Sequence, residues 1–226
     1  MHSRLSCRDF LCVALLVCLA PFSSSAKEIV DYHSLSLTEA AQLIREDKIS
    51  STELVKALLL QAEVERDLNA FITLDREAVL KAAQAADAAQ KQGKPLGQLH
   101  GVPLVIKDNI HVAGMPNTAG TPALRSFIPQ ENARVVEALI DAGAIVLGKT
   151  NMHELAFGAT SNNAAFGPVR NPYDPARFPG GSSGGTAAAI AAGIAPGGRG
   201  TDTGGSVRIP AALTGHRGAS SDLGTL

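Results

Sequence analysis

The sequence predicts an α/β fold on three observations. From Gly101 onward short apolar runs alternate with helix-patterned ones, glycines stand where those helices should stop, and two glycine-rich loops each lead into a further helical pattern. The chain opens with two S/T-x-x-E boxes, Ser36-Leu37-Thr38-Glu39 and Ser50-Ser51-Thr52-Glu53, each heading a segment with apolar residues at helical spacing. Such boxes satisfy free amides at a helix start, so two antiparallel N-terminal helices are expected. A short apolar stretch at Ala70–Leu74 precedes Asp75–Gln92, which is alanine-rich and free of breakers until Gly93 and Pro95, and so reads as a third helix. Val102–Ile106, a helix over Glu131–Ala142 capped by Gly143, and Ala144–Leu147 then give the alternation that argues for parallel pairing. The loops Pro179–Gly185 and Thr201–Gly205 lead into helical patterns at Thr186–Ala192 and Ser206–Leu213. No repeat at a fixed period interrupts this order.

Composition bounds the function classes. With 226 residues, 45% apolar and 18% charged, the chain can build a core without metal or disulfide staples. Arg4 and Arg8 precede an apolar run from Phe10 to Ala20, and Ser24-Ser25-Ala26 supplies small residues before Lys27. Residues 1–26 therefore read as a secretory signal peptide, with residues 27–226 as one domain and a secreted or periplasmic location expected. The apolar run is too short for the ~20 residues of a membrane-spanning helix. Cys7, Cys12 and Cys18 all fall within that segment, which removes disulfide, thiol-nucleophile and Cys-metal readings from the rest. Without residues 1–26 the basic and acidic residues stand at 18 against 20, a balance that makes no electrostatic case for nucleic acid.

A glycine-rich loop ending at a helix N-terminus leaves amides free to face an anion. Neither loop is followed by the Lys that a phosphate-cradling P-loop requires, so a nucleotide is disfavoured. Gly181-Ser182-Ser183-Gly184-Gly185 satisfies G-x-S-x-G, but the preceding Asn171–Pro179 holds three prolines where a nucleophile elbow needs a strand. A third chemistry uses a serine nucleophile and a desolvated lysine as base. Lys107 suits it, because it closes the run Val102–Ile106 and would enter the interior at a strand end with its amine toward a cleft. His153, beside Glu154, lacks a ligand spacing such as H-E-x-x-H and is read as local structure.

Three runs then carry a resemblance: Gly101-Val-Pro-Leu-Val-Ile-Lys107-Asp108, Gly180-Gly-Ser182-Ser183-Gly-Gly185, and Gly200-Thr-Asp-Thr-Gly-Gly-Ser206-Val-Arg208-Ile-Pro210. In order and spacing they resemble the amidase signature family, over roughly residues 35–215. The resemblance implies a mixed β-sheet core flanked by helices, incomplete at the C-terminus, since members run considerably longer. It implies Ser206 as nucleophile, Ser182 as relay serine on a cis peptide, and Lys107 as general base. It further implies an oxyanion hole from the amides of Thr203, Gly204, Gly205 and Ser206, with Asp202 paired to Arg208 and Ser183 helping to hold Lys107. The reaction implied is hydrolysis of a carboxylic amide through an acyl-enzyme, with no metal or cofactor. Met115–Pro122 resembles the corresponding stretch in amidases for mandelamide and indoleacetamide, which leans the substrate toward small aryl-acetamides. The alternatives are the glutamyl-tRNA amidotransferase subunit, which works with partner subunits, and an inactive truncated remnant. Two departures adjoin Ser206: Arg199 stands where an apolar strand residue is usual, and His216–Leu226 lacks the Gly-Leu-Lys/Arg-Pro-Thr pattern. An Arg199 directed inward would be an unpaired buried charge beside the nucleophile loop.

Overall fold

Each N-terminal helix is started by its own side chains. In the computed structural model, which describes residues 30–219, Ser36 and Ser50 accept the amides of Glu39 and Glu53, and each glutamate returns a bond to the serine amide. Helices α1 (Leu37–Arg45) and α2 (Ser51–Val64) follow from those caps. Strand β1 (Phe71–Thr73) leads to helix α3 (Arg76–Lys91), which Asp75 starts by accepting the amide of Ala78. Helix α3 also supplies Asp87, whose carboxylate accepts the amides of Ser51 and Thr52 at 2.8 and 3.1 Å, a charge-assisted cap that fixes α3 against the start of α2. The expected leader, residues 1–26, lies outside the described residues.

Strand β2 (Pro103–Lys107), helix α4 (Arg134–Asp141) and strand β3 (Ile145–Thr150) form the next unit. Helix α4 starts three residues later than its pattern suggests, because residues 131–133 fasten the chain to a neighbouring loop. Asn132 accepts the amide of Ala113, and the amide of Ala133 donates to His111. Strand β3 runs on past Leu147 through Gly148, Lys149 and Thr150. Helix α5 (Gly184–Ala191), strand β4 (Gly198–Arg199) and helix α6 (Arg208–Leu213) complete the order.

The sheet runs β1-β3-β2-β4. Strand β2 pairs parallel with both β3 and β4, as the alternation predicts, whereas β1 pairs antiparallel with β3, so the sheet is mixed. All five residues of β2 are buried, the mark of a strand covered on both faces. Alternate residues serve different layers. Val105 joins the cluster built with Val55, Leu59, Leu147 and Ala188, and Ile106 joins Ile110, Val112 and Val136. Arg199 is exposed on the edge strand β4, which corrects the concern that it would be buried unpaired.

The close seating of α5 depends on a missing side chain. A Cβ at Gly185 would lie 2.3 Å from the carbonyl oxygen of Asn151 and 2.6 Å from that of Ala70, both rigid backbone. Gly185→Ala therefore displaces α5 from the end of the sheet, and soluble expression with thermal melting should show a fold lost or strongly destabilised. The milder Ser50→Ala removes one cap and should cost about 1 kcal/mol in urea unfolding.

Candidate active site

The parity of β2 sends Lys107 to the same face as Val105, toward α5, beside Thr150 of the neighbouring strand. Its side chain is fully buried. The Nζ atom donates to Ser182 Oγ at 2.7 Å and to Thr201 Oγ1 at 2.7 Å, and Asn109 Nδ2 also reaches Thr201 Oγ1 at 3.2 Å. Burial removes the water that would stabilise an ammonium and pushes the Lys107 pKa down to about 7, against the opposing pull of the Asp202 charge. The partners in direct contact are hydroxyls and not carboxylates, so nothing adjacent compels the amine to stay protonated.

Ser182 follows a cis peptide bond after Gly181, as the resemblance implies. Its carbonyl accepts the amide of His153 at 3.1 Å, while Ser161 Oγ takes the amide of Gly184 at 3.0 Å. The next amide, of Ser183, donates to the carbonyl of Ser206 at 3.1 Å and so joins the two glycine-rich loops directly. Ser183 itself does not hold Lys107. Its hydroxyl donates to the carbonyl of Thr201 at 3.3 Å, and Thr201 makes the contact to the amine that the resemblance assigned to Ser183. The imidazole of His153 lies 3.4 Å from the Thr160 hydroxyl and fills the space left by Gly158, whose Cβ would stand 2.2 Å from the ring.

Asp202 organises the Ser206 loop. Its Oδ1 accepts the amide of Gly205 at 2.7 Å, and its Oδ2 accepts the amides of Val207 and Arg208, each at 3.2 Å. The Arg208 guanidinium grips both oxygens at 3.0 Å, the expected pair in bidentate form. With that guanidinium first among the causes, the Asp202 carboxyl is held well below the usual carboxylate range. The chain turns at Gly205 with φ of +117°, where a side chain would press on Ile209. One expectation changes. The Gly205 amide is spent on Asp202, whereas the amides of Thr203, Gly204 and Ser206 donate to no protein acceptor among the described residues. Ser206 is half-buried, and its hydroxyl has no hydrogen-bond partner among the described residues, so the structure brings its loop to Ser182 without a Ser206–Ser182 hydroxyl bond.

This arrangement gathers a buried lysine amine, its hydroxyl partners and a loop with free amides at one end of the sheet. The chain belongs to the amidase signature family: the family model described as Amidase matches residues 53–225. It is 49% identical over 195 residues to a mandelamide hydrolase of Pseudomonas putida, covering 84% of this chain and 38% of that one. It is 45% identical over 197 residues to a glutamyl-tRNA(Gln) amidotransferase subunit of Chloroflexus aurantiacus, covering 87% and 40%. Among solved structures it resembles the peptide amidase of Stenotrophomonas maltophilia with a TM-score of 0.76 and 38% identity, over 81% of this chain and 39% of that one. A bacterial aryl acylamidase of the same family gives 0.74 and 36%, over 78% and 37%. The chain thus spans about two fifths of the length of these relatives.

Thr201 and Asn109 were not singled out as site residues in the sequence. Thr201 stands inside the recognised loop next to Asp202, and a hydroxyl there was the available signal.

The Lys107 shift fixes the sign of a linkage effect. Its folded pKa lies below the 10.5 of a free lysine, so between pH 7 and 10.5 the unfolded chain binds the proton that the folded chain has released. Stability contributed by this group therefore rises with pH across that window. Urea unfolding of wild type and Lys107→Met at pH 7 and pH 10 should show wild type gaining on the variant at the higher pH.

Proposed function

We propose that this chain carries the acyl-transfer centre of an amidase that hydrolyses a carboxylic amide to acid and ammonia. The observation that carries the reading is the buried 2.7 Å contact between Lys107 Nζ and Ser182 Oγ, with the amine near neutrality and Ser206 on the adjoining loop. In the productive complex Ser206 Oγ attacks the amide carbonyl while its proton passes to Ser182 and the Ser182 proton passes to neutral Lys107. The free amides of Thr203, Gly204 and Ser206 receive the oxyanion, each such donor contributing roughly 10²–10³ in rate. Collapse of the tetrahedral species breaks the C–N bond, with the proton returning from Lys107 through Ser182 to the leaving ammonia. Water, deprotonated by the same route, then cleaves the acyl-enzyme and restores Ser206. Every step is served by side chains and backbone amides.

For the acyl group we infer a small aryl-acetamide. The likeness to mandelamide hydrolase supports it, as do Leu155 and Phe157, exposed apolar residues on the segment whose His153 amide touches Ser182. Secretion through residues 1–26 belongs to the same proposal. A second reading, transamidation alongside partner subunits, is supported by the 45% identity to the amidotransferase subunit.

The deciding experiment incubates the purified chain and Ser206→Ala with a fluorophosphonate, followed by intact mass, and with aryl-acetamides and glutamine, followed by ammonia release. Ser206-dependent labelling with ammonia from the aryl-acetamides supports the amidase; ammonia from glutamine alone favours transamidation; a folded chain that does neither overturns both readings for this chain. In the active case the labelling rate should rise with pH through about 7, as the Lys107 amine loses its proton and becomes a base.

A further inference from the structure

A second lysine in the same sheet has no part in the chemistry above. Lys149 lies on β3 opposite Ile106 and therefore on the face of the sheet away from Lys107. Its side chain and that of Asp108 are both wholly buried, with Nζ 3.4 Å from Asp108 Oδ1. Two buried charges are costly, and apolar replacements of similar volume often serve stability as well. Their bonds indicate what the pair accomplishes. Lys149 Nζ also donates to Asn117 Oδ1 at 3.0 Å and to the Pro116 carbonyl at 3.2 Å. Asp108 accepts both the amide and the hydroxyl of Thr118 at Oδ2, and its backbone carbonyl accepts the amide of Ala119. Five contacts thus fasten residues 116–119 to the ends of β2 and β3.

That loop continues toward the site. The carbonyl of Ala119 accepts the amide of Leu155, and Asn163 Nδ2 bridges the carbonyls of Gly120 and Met152. Between Met152 and Leu155 stands His153, whose amide holds the Ser182 carbonyl, and Asn151 accepts the amide of Gly185 at the start of α5.

We propose that Lys149 is a positioning residue for Ser182, which it acts upon through a buried clamp: Lys149 and Asp108 lock residues 116–119 to the sheet, and that loop holds residues 152–163 against the Ser182 carbonyl. The inference deepens the amidase reading, since the position it sets is that of the relay serine. The clamp needs the lysine's reach as well as its charge. Two hydrogen-bond acceptors and a carboxylate oxygen from two chain segments converge on one Nζ, which a neutral pair of side chains cannot reproduce.

Hydrogen exchange of the full chain tests this without relying on activity. In wild type under low urea, the amides of Thr118, Ala119, Leu155 and His153 should open together as one unit. In Lys149→Met they should exchange at least about tenfold faster relative to the α2 amides, the response to losing hydrogen bonds to a charged group. The charge-neutral pair Asp108→Asn with Lys149→Met should leave that loss in place, and Leu58→Ala in the core should lower global stability without changing the order of exchange. Independent opening of the four amides in wild type, or rescue by the neutral pair, would overturn the clamp. Should Lys149→Met fail to fold, the wild-type pattern alone decides. Slower Ser206 labelling in Lys149→Met but not in Leu58→Ala is expected if the centre works. The clamp pattern in a wild type that never labels would sink the amidase reading and leave the clamp standing.

Discussion

The interior placement of one amine is the constraint on which the rest of the site depends. A lysine in water is an ammonium at neutral pH and cannot accept a proton; Lys107 is lowered to about 7 because it sits at the buried end of a strand covered on both faces. That environment requires α5 on one side of β2 and α4 on the other, so the sheet and its helices set the state of the amine before any loop does. It also requires polar partners, because an unbonded amine in the interior carries a desolvation cost of its own. Ser182 and Thr201 supply them from loops 75 and 94 positions away in sequence.

The two glycine-rich loops divide the remaining work. The Ser182 loop is held from behind, by His153 on its carbonyl and by Ser161 at the start of α5. The Ser206 loop is held from within, by a single carboxylate that gathers three amides and a guanidinium. Asp202 therefore gathers the amides of Val207 and Arg208 at the start of α6 while leaving other amides of the loop unbonded. Free amides in a fixed loop are what a developing oxyanion needs, since their orientation is settled before the reaction begins. The Ser183–Ser206 backbone bond sets the two loops against each other, so neither can shift without the other.

Features whose cause is local were legible in the sequence. The capping boxes at Ser36 and Ser50, the breaker after α3 and the strand ending in Lys107 all follow from neighbours a few residues away, and the structure reproduces them. The Asp202–Arg208 pair, six positions apart, came from the family resemblance, and the structure holds it. What escaped depends on distant backbone. That Thr201 and not Ser183 meets Lys107 is decided by how β4 lies beside β2, and the antiparallel course of β1 by where its chain rejoins β3. The extension of β3 was hidden because Gly148 and Lys149 break the apolar pattern, although both sit in the ladder. The engagement of the Gly205 amide with Asp202 required side-chain geometry that no spacing encodes.

Lys107 and Lys149 make the same point from opposite faces of one sheet. Both are wholly buried, and burial pushes the pKa of each downward. Their partners differ. Lys107 touches two hydroxyls, with Asp202 acting on it only at a distance, whereas Lys149 meets the Asp108 carboxylate at 3.4 Å along with a carbonyl and an amide oxygen. A hydroxyl accepts from an ammonium and donates to a neutral amine with equal ease, so it tolerates a change of protonation. A carboxylate and two carbonyl-type oxygens can only accept, and they favour the charged form. Residue type is therefore not what separates the proposed base from the proposed clamp. The choice lies in whether the surrounding groups can reverse the direction of their hydrogen bonds.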